Sequence, residues 1–237
     1  MTSTVDADCL AGNPLIDDWP SSGVTVACLS ICAQVVLTCH QLGGGVAMLQ
    51  LPSAFSLDDA RAAGLRKDQV YQLLAEGDIA RMGRAAFVRP DVVDPVYATL
   101  AAATAMQPTA TLCLTSALVR HELSDAIPFA TDIALPRGTR HPAGFEHVTW
   151  HSFDAATFEL GREMFDAGGD AQVATYSAER TIIDCFRLMH QEGSDVAHEA
   201  LRRWLRWRGS SPSQLLKMAA SFPRTTRRLR LALEVLL

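Results

Sequence analysis

Arg66, Lys67, Gln69 and Gln72 share one short stretch of the chain, and Arg81, Arg84 and Arg89 follow in "GDIARMGRAAFVRP", residues 77–90. A guanidinium fork or an ammonium suits a phosphate or the major-groove edge of guanine, and a glutamine amide suits the edge of adenine. The same residues also suit an ordinary solvated surface. Their meaning therefore depends on the elements that carry them.

Those elements can be read from caps and periodicity. Ser56 before "LDDARAAG" is an N-cap, and Asp58 and Asp59 favour the first turn of a helix. Gly64 closes that helix as a left-handed cap. A second helix runs from Arg66 to Glu76, with Val70, Leu73 and Leu74 at core spacing, and Gly77 stops it. "DIARMGRAAFVR" then alternates around Gly83, with Ile79 and Met82 before it and Phe87 after, the pattern of two short strands and a turn. Helix, tight turn, helix and hairpin over residues 51–92 is the order of a winged helix-turn-helix. In that unit the second helix lies in the major groove, so Arg66, Lys67, Gln69 and Gln72 face base edges. Arg81, Arg84 and Arg89 on the hairpin suit phosphates or a minor groove.

The charge distribution allows this in a chain whose formal net charge is -5. Residues 1–60 contain no Lys or Arg and six acids, Asp6, Asp8, Asp17, Asp18, Asp58 and Asp59. Residues 201–237 carry nine bases against one acid, Glu234. Two separate basic regions suit two partners, or one partner held twice. With 49% hydrophobic and 20% charged residues in 237, the chain is globular and long enough to bury a core.

The most apolar run is "VTVACLSICAQVVLTCHQL", residues 24–42. It lacks the positive start of a signal peptide. Thr25, Ser30, Gln34, Thr38 and His40 interrupt a membrane span, and no bases flank it. Cys28, Cys32, Cys39 and His40 lack the paired spacing of a zinc site. Residues 1–50 therefore read as an extension, set off by "LGGGVAM", with Met48 the expected natural start. The six cysteines (Cys9, Cys28, Cys32, Cys39, Cys113 and Cys185) form no disulfide framework and read as reduced thiols in a cytoplasmic protein.

Residues 95–237 read as a second domain. Helices are expected over Ala98 to Met106 and Leu112 to Leu123, and strands at "TDIALP" and "HVTWHSF", joined by a polar loop containing Arg137 and Arg140. Four helices follow, Ser177–Gln191, Asp195–Trp207, Ser211–Ser221 and Arg224–Leu236. The fold class is thus α+β (mixed α/β), a winged helix-turn-helix followed by an α/β domain with a helical C-terminal half. Catalytic candidates are thin. Glu179 and Asp184 are five apart and do not share a helical face, whereas Arg180 and Asp184 can pair at i, i+4. His147 and His151 would share one face of a strand, without a third ligand. His121 reads as a partly buried, hydrogen-bonded histidine. No Walker loop, GxSxG or HExxH occurs, so no catalytic residue, metal or cofactor is expected. "LRRWLRWRG" places Trp204 on an apolar stripe with Leu201 and Leu205, and Trp207 outward among Arg202, Arg203, Arg206 and Arg208. With Arg227 and Arg228 these make either a second DNA or partner surface or plain solvated helix faces.

The stretch from Ser53 onward resembles the AbiEi family, the antitoxins of type IV toxin–antitoxin systems. In the winged helix the shared pattern is carried by Ala60, Gly64, Leu74, Gly77, Ile79, Arg81, Arg84 and Phe87, with Ala86 where the family usually has a glycine. Further along, Ser116, Ala117, Leu118, His121, Leu123 and Pro128 match a second segment, in which Glu122 replaces a glycine. Glu179, Arg180, Thr181 and Asp184 match a third. The resemblance implies a non-enzymatic autorepressor that binds the operator DNA of its own operon. It would counteract a nucleotidyltransferase toxin without needing to touch it. It would be a monomer in solution or a cooperative multimer on DNA, with no membrane association. The other reading is a stand-alone winged-helix transcriptional regulator with a ligand-sensing or protein-binding second domain.

Overall fold

The computed structural model describes residues 51–237. The expected extension, the cysteine and histidine spacing within it and the start at Met48 lie outside the described residues.

The first element is a strand that patterning did not predict, β1 (Ala54–Ser56). Ser56 ends β1 and caps α1 (Leu57–Ala62): its side chain accepts from the Asp59 N–H, and the Asp59 carboxylate accepts from the Ser56 N–H. This reciprocal box satisfies donors that a helix start otherwise leaves open. At the other end Gly64 is left-handed at φ 85°. The Leu65 N–H reaches the Ala60 carbonyl and the Gly64 N–H the Arg61 carbonyl, a Schellman stop. Helix α2 (Lys67–Glu76) ends the same way at Gly77. Strands β2 (Ala80–Arg81) and β3 (Ala86–Val88) form the hairpin, and β3 pairs with both β1 and β2 in a three-stranded antiparallel sheet. Ala86 needs no glycine freedom, because it sits inside β3, opposite Ser56.

Strand periodicity divides the small sheet's faces. Phe55 and Phe87 are register partners, buried and stacked 5.6 Å apart. Ala86 and Val88 point the other way, into a core shared with the alanine-rich helix α3 (Ala98–Met106). The remainder is a five-stranded mixed sheet of β4 (Thr111–Leu112), β5 (Thr131–Pro136), β6 (Val148–Phe153), β7 (Arg162–Asp166) and β8 (Gln172–Tyr176), in the order β6-β5-β4-β8-β7. Helix α4 (Leu114–Arg120) lies between β4 and β5 in sequence, and five helices close the chain. These are α5 (Ala178–Arg187), α6 (Met189–Glu192), α7 (Ser194–Leu205), α8 (Pro212–Ala219) and α9 (Pro223–Leu236). Along β5, Ile133 and Leu135 join α3 and the small sheet, while Ala134 faces Tyr176, Ile182, Trp204 and the C-terminal helices. The sheet is therefore packed on both faces, and the fold is α+β.

Three sequence expectations need correcting. Leu112 belongs to β4, and the helix expected from there begins only at Leu114. The helix expected over Ser177–Gln191 breaks at Leu188 into α5 and α6. His147 is not on a strand: its φ of 53° is left-handed, and β6 starts after it at Val148. His147 and His151 therefore do not share one strand face. Helix α4 also ends in a Schellman stop, with Leu123 N–H to Leu118 carbonyl and Glu122 N–H to Val119 carbonyl. The left-handed residue there is Glu122, at φ 56°, the position that the AbiEi pattern fills with glycine.

Candidate nucleic-acid interface

Helix α2 presents Lys67, Tyr71 and Gln72 on its exposed side, and Val70 and Leu73 on its buried side. The Lys67 ammonium lies 5.7 Å from the centre of the Tyr71 ring, and Tyr71 is 42% exposed. Sequence reasoning missed Tyr71, although its i, i+4 spacing from Lys67 is the signal that it shares that face. Gln72 donates to Glu76 at 2.9 Å. Arg66 grips Asp68 with two hydrogen bonds of 3.1 and 3.0 Å. Their hydrogen bond holds the Asp68 carboxyl below its ordinary value and Arg66 above its own. The pair is fully solvated, so a phosphate can displace Asp68 at little cost. Gln69 differs from the expectation. Its amide oxygen accepts the Arg66 N–H at 2.9 Å and serves as a cap, so base contact would require it to leave that role.

The hairpin arginines divide in three. Arg81 folds over its own turn, donating to the carbonyls of Gly83 at 3.0 Å and Arg84 at 3.1 Å. Arg89 follows β3, is mostly buried and pairs with Asp91 at 3.1 Å. Arg84 is exposed, and its guanidinium makes no ion pair among the described residues. Its backbone is fixed from an unexpected quarter. The segment between β5 and β6 docks on the turn, with the Arg84 N–H donating to the Ala143 carbonyl at 3.0 Å. Gly144 is left-handed there, and a Cβ on it would lie 2.8 Å from the Arg84 nitrogen. A Cβ on Gly83 would lie 2.5 Å from the Phe145 ring. The wing is thus held in place by a loop some sixty residues further along the chain.

The C-terminal basic set is also divided. Trp204 is 1% exposed and in the core, whereas Trp207 is 40% exposed. Arg202 and Arg203 both pair with Glu199, and Arg203 reaches Asp125 as well. Arg206, Arg208, Arg227 and Arg228 are exposed and form no ion pair among the described residues.

The residues weighed for catalysis serve packing. Arg180 and Asp184 are both fully buried and 2.9 Å apart, and Arg187 adds a second bond to the same carboxylate. Arg180 also donates to the carbonyls of Thr157 and Leu160 and lies 4.5 Å from the Tyr176 ring centre. Burial pushes the Asp184 carboxyl up, and the two guanidiniums pull it back. Glu179 sits in the first turn of α5, behind the Ser177 cap. His121 Nε2 donates to the Tyr176 carbonyl at 2.7 Å, which fixes its tautomer. Asp132, not singled out in the sequence, accepts from His151 at 3.0 Å and from Ser116 at 3.3 Å. The carboxylate lies between serine and histidine, so the histidine is not placed to deprotonate the serine. Cys113 and Cys185 are free and buried, and burial pushes both thiols well up. Among the described residues no group of three or more His, Cys, Asp or Glu could hold a metal ion. No helix among them is long and apolar enough to cross a membrane.

No family model and no curated protein matches the chain. Among solved structures it is similar to the RV2827C protein from Mycobacterium tuberculosis, with a TM-score of 0.52 and 14% sequence identity. The match covers 81% of this chain and 74% of that one, and at this identity the likeness is one of fold.

Proposed function

We propose that the chain is a DNA-binding transcriptional repressor of its own operon and the antitoxin of a type IV system, acting against a nucleotidyltransferase toxin. The observation that carries the DNA reading is the pairing of an exposed Lys67, Tyr71 and Gln72 face on the second helix with an unpaired Arg84 on a rigidly held wing. The helix offers donors and a ring to base edges, and the wing offers a guanidinium to the backbone. Arg206, Arg208, Arg227 and Arg228 supply a second basic surface for DNA or a partner. The antitoxin assignment rests on the AbiEi resemblance alone. It includes no catalytic step, and neutralisation needs no direct grip on the toxin.

Two cellular assays test this reading. The chain should repress a reporter driven by the DNA upstream of its own gene, and Lys67→Ala with Gln72→Ala should relieve repression. Co-expression should rescue growth from a nucleotidyltransferase encoded beside it. Repression without rescue would favour the stand-alone regulator, and the absence of both effects would overturn the proposal.

A further inference from the structure

A cavity of about 640 Å³ lies where the end of β5, the loop after β6, the end of α5 and the start of α9 meet. That volume suits a small molecule, roughly 300–1,000 Å³ being usual for such sites. Arg137, Arg187, Arg224 and Arg228 line it, and Asp154 is the one carboxylate among its lining residues. Arg137, Arg224 and Arg228 form no ion pair among the described residues. Arg187 does pair, but with Asp184, whose single charge is already shared with the buried Arg180. Thr225 also lines the cavity and is 2% exposed. It stands in the first turn of α9, a helix of 14 residues whose N-terminus carries partial positive charge.

Positive charge therefore exceeds negative charge around a concave space, and the excess is in forked donors suited to phosphoryl oxygens. The space is larger than one phosphate needs. At its wall the Asp154 carboxylate, which accepts only the Ala156 N–H, keeps acceptor capacity for hydroxyl groups. We propose that this cavity binds a phosphorylated sugar, with its phosphate against Arg137, Arg224 and Arg228 and its hydroxyls toward Asp154. Arg228 is common to this cavity and to the second basic surface, but the Lys67, Gln72 and Arg84 interface contributes no residue to the cavity, so the two readings can fail separately.

Ribose 5-phosphate is the probe, titrated calorimetrically into the full chain, with ribose and inorganic phosphate as comparisons. Ribose 5-phosphate should bind saturably below about 1 mM, and more tightly than inorganic phosphate, while ribose gives no heat. Arg137→Ala and Arg228→Ala should each weaken it about tenfold, and Arg206→Ala, which does not line the cavity, should leave it unchanged. Circular dichroism checks that the variants fold, and Arg224→Gln replaces either one that does not. Absence of binding would overturn the proposal, as would equal affinity for inorganic phosphate or binding indifferent to Arg137 and Arg228. It would also be overturned if the same variants lost affinity for random duplex DNA while ribose 5-phosphate gave no heat, since the cavity would then hold a backbone phosphate.

Discussion

Arg81 and Arg84 are three residues apart, yet the structure gives them different work, and that difference can be measured. The Arg84 guanidinium is exposed and unpaired, so its loss should cost a phosphate contact and no fold stability. Each neutralised phosphate contributes about 0.9 to the slope of log affinity against log salt on duplex DNA. Between about 50 and 200 mM salt, a fourfold change, the advantage of wild type over Arg84→Ala should shrink by about 3.5-fold. Arg81 instead closes the turn with bonds to the carbonyls of Gly83 and Arg84. Its replacement by Ala should lower stability by about 1 kcal/mol, since charge-assisted bonds on a partly exposed turn are discounted by solvent. The assays are fluorescence anisotropy on a random duplex across a salt series, and the urea midpoint of each variant. An unchanged slope for Arg84→Ala would refute the reasoning. So would an Arg81→Ala variant that lost slope while keeping its full urea midpoint.

Three further predictions concern the frame. Glu122→Gly relieves a left-handed non-glycine residue at the Schellman stop of α4, and should stabilise the chain by about 0.5–1 kcal/mol, read as a rise in melting temperature. Asp184→Ala strands Arg180 and Arg187 without their shared carboxylate, and should cost about 3–5 kcal/mol in chemical denaturation. Asp170 accepts the Ser53 N–H at 2.7 Å, and its hydrogen bonds to Ser53 hold its carboxyl below the ordinary value. Its folded pKa is the lower one, so its stabilisation is present above about pH 4 and disappears as pH falls through the folded value. Denaturation midpoints of Asp170→Asn and wild type should differ at neutral pH and converge in acid.

Local stops and starts were legible in the sequence because each is written in adjacent residues. Ser56, Ser177 and Ser211 cap helices, and Gly64 and Gly77 end them. Strands whose partners are remote were not. The three residues of β1 carry no period of their own and become a strand only opposite Ala86–Val88. No strand was expected at "REMFD", residues 162–166, yet it pairs along its whole length with β8. The same limit governed the interface. Residue types pointed to Arg66, Lys67, Gln69, Gln72, Arg81, Arg84 and Arg89, but local hydrogen-bond or ion-pair partners hold all of these except Lys67 and Arg84, and those partners depend on how the chain folds back on itself. The docking of Ala143–Phe145 on the wing is a long-range contact with no sequence signal beyond two glycines. The arginine-lined cavity draws its walls from separated segments and could not be read from any one of them.

The central claim is that the α2 face and the wing read DNA. A gel shift of the chain on the DNA upstream of its own gene, with excess random DNA as competitor, tests it most directly. A shift that survives the competitor, and that Lys67→Ala with Gln72→Ala abolishes, is the predicted result. A shift no stronger than that on random DNA, or one indifferent to that double substitution, would contradict it.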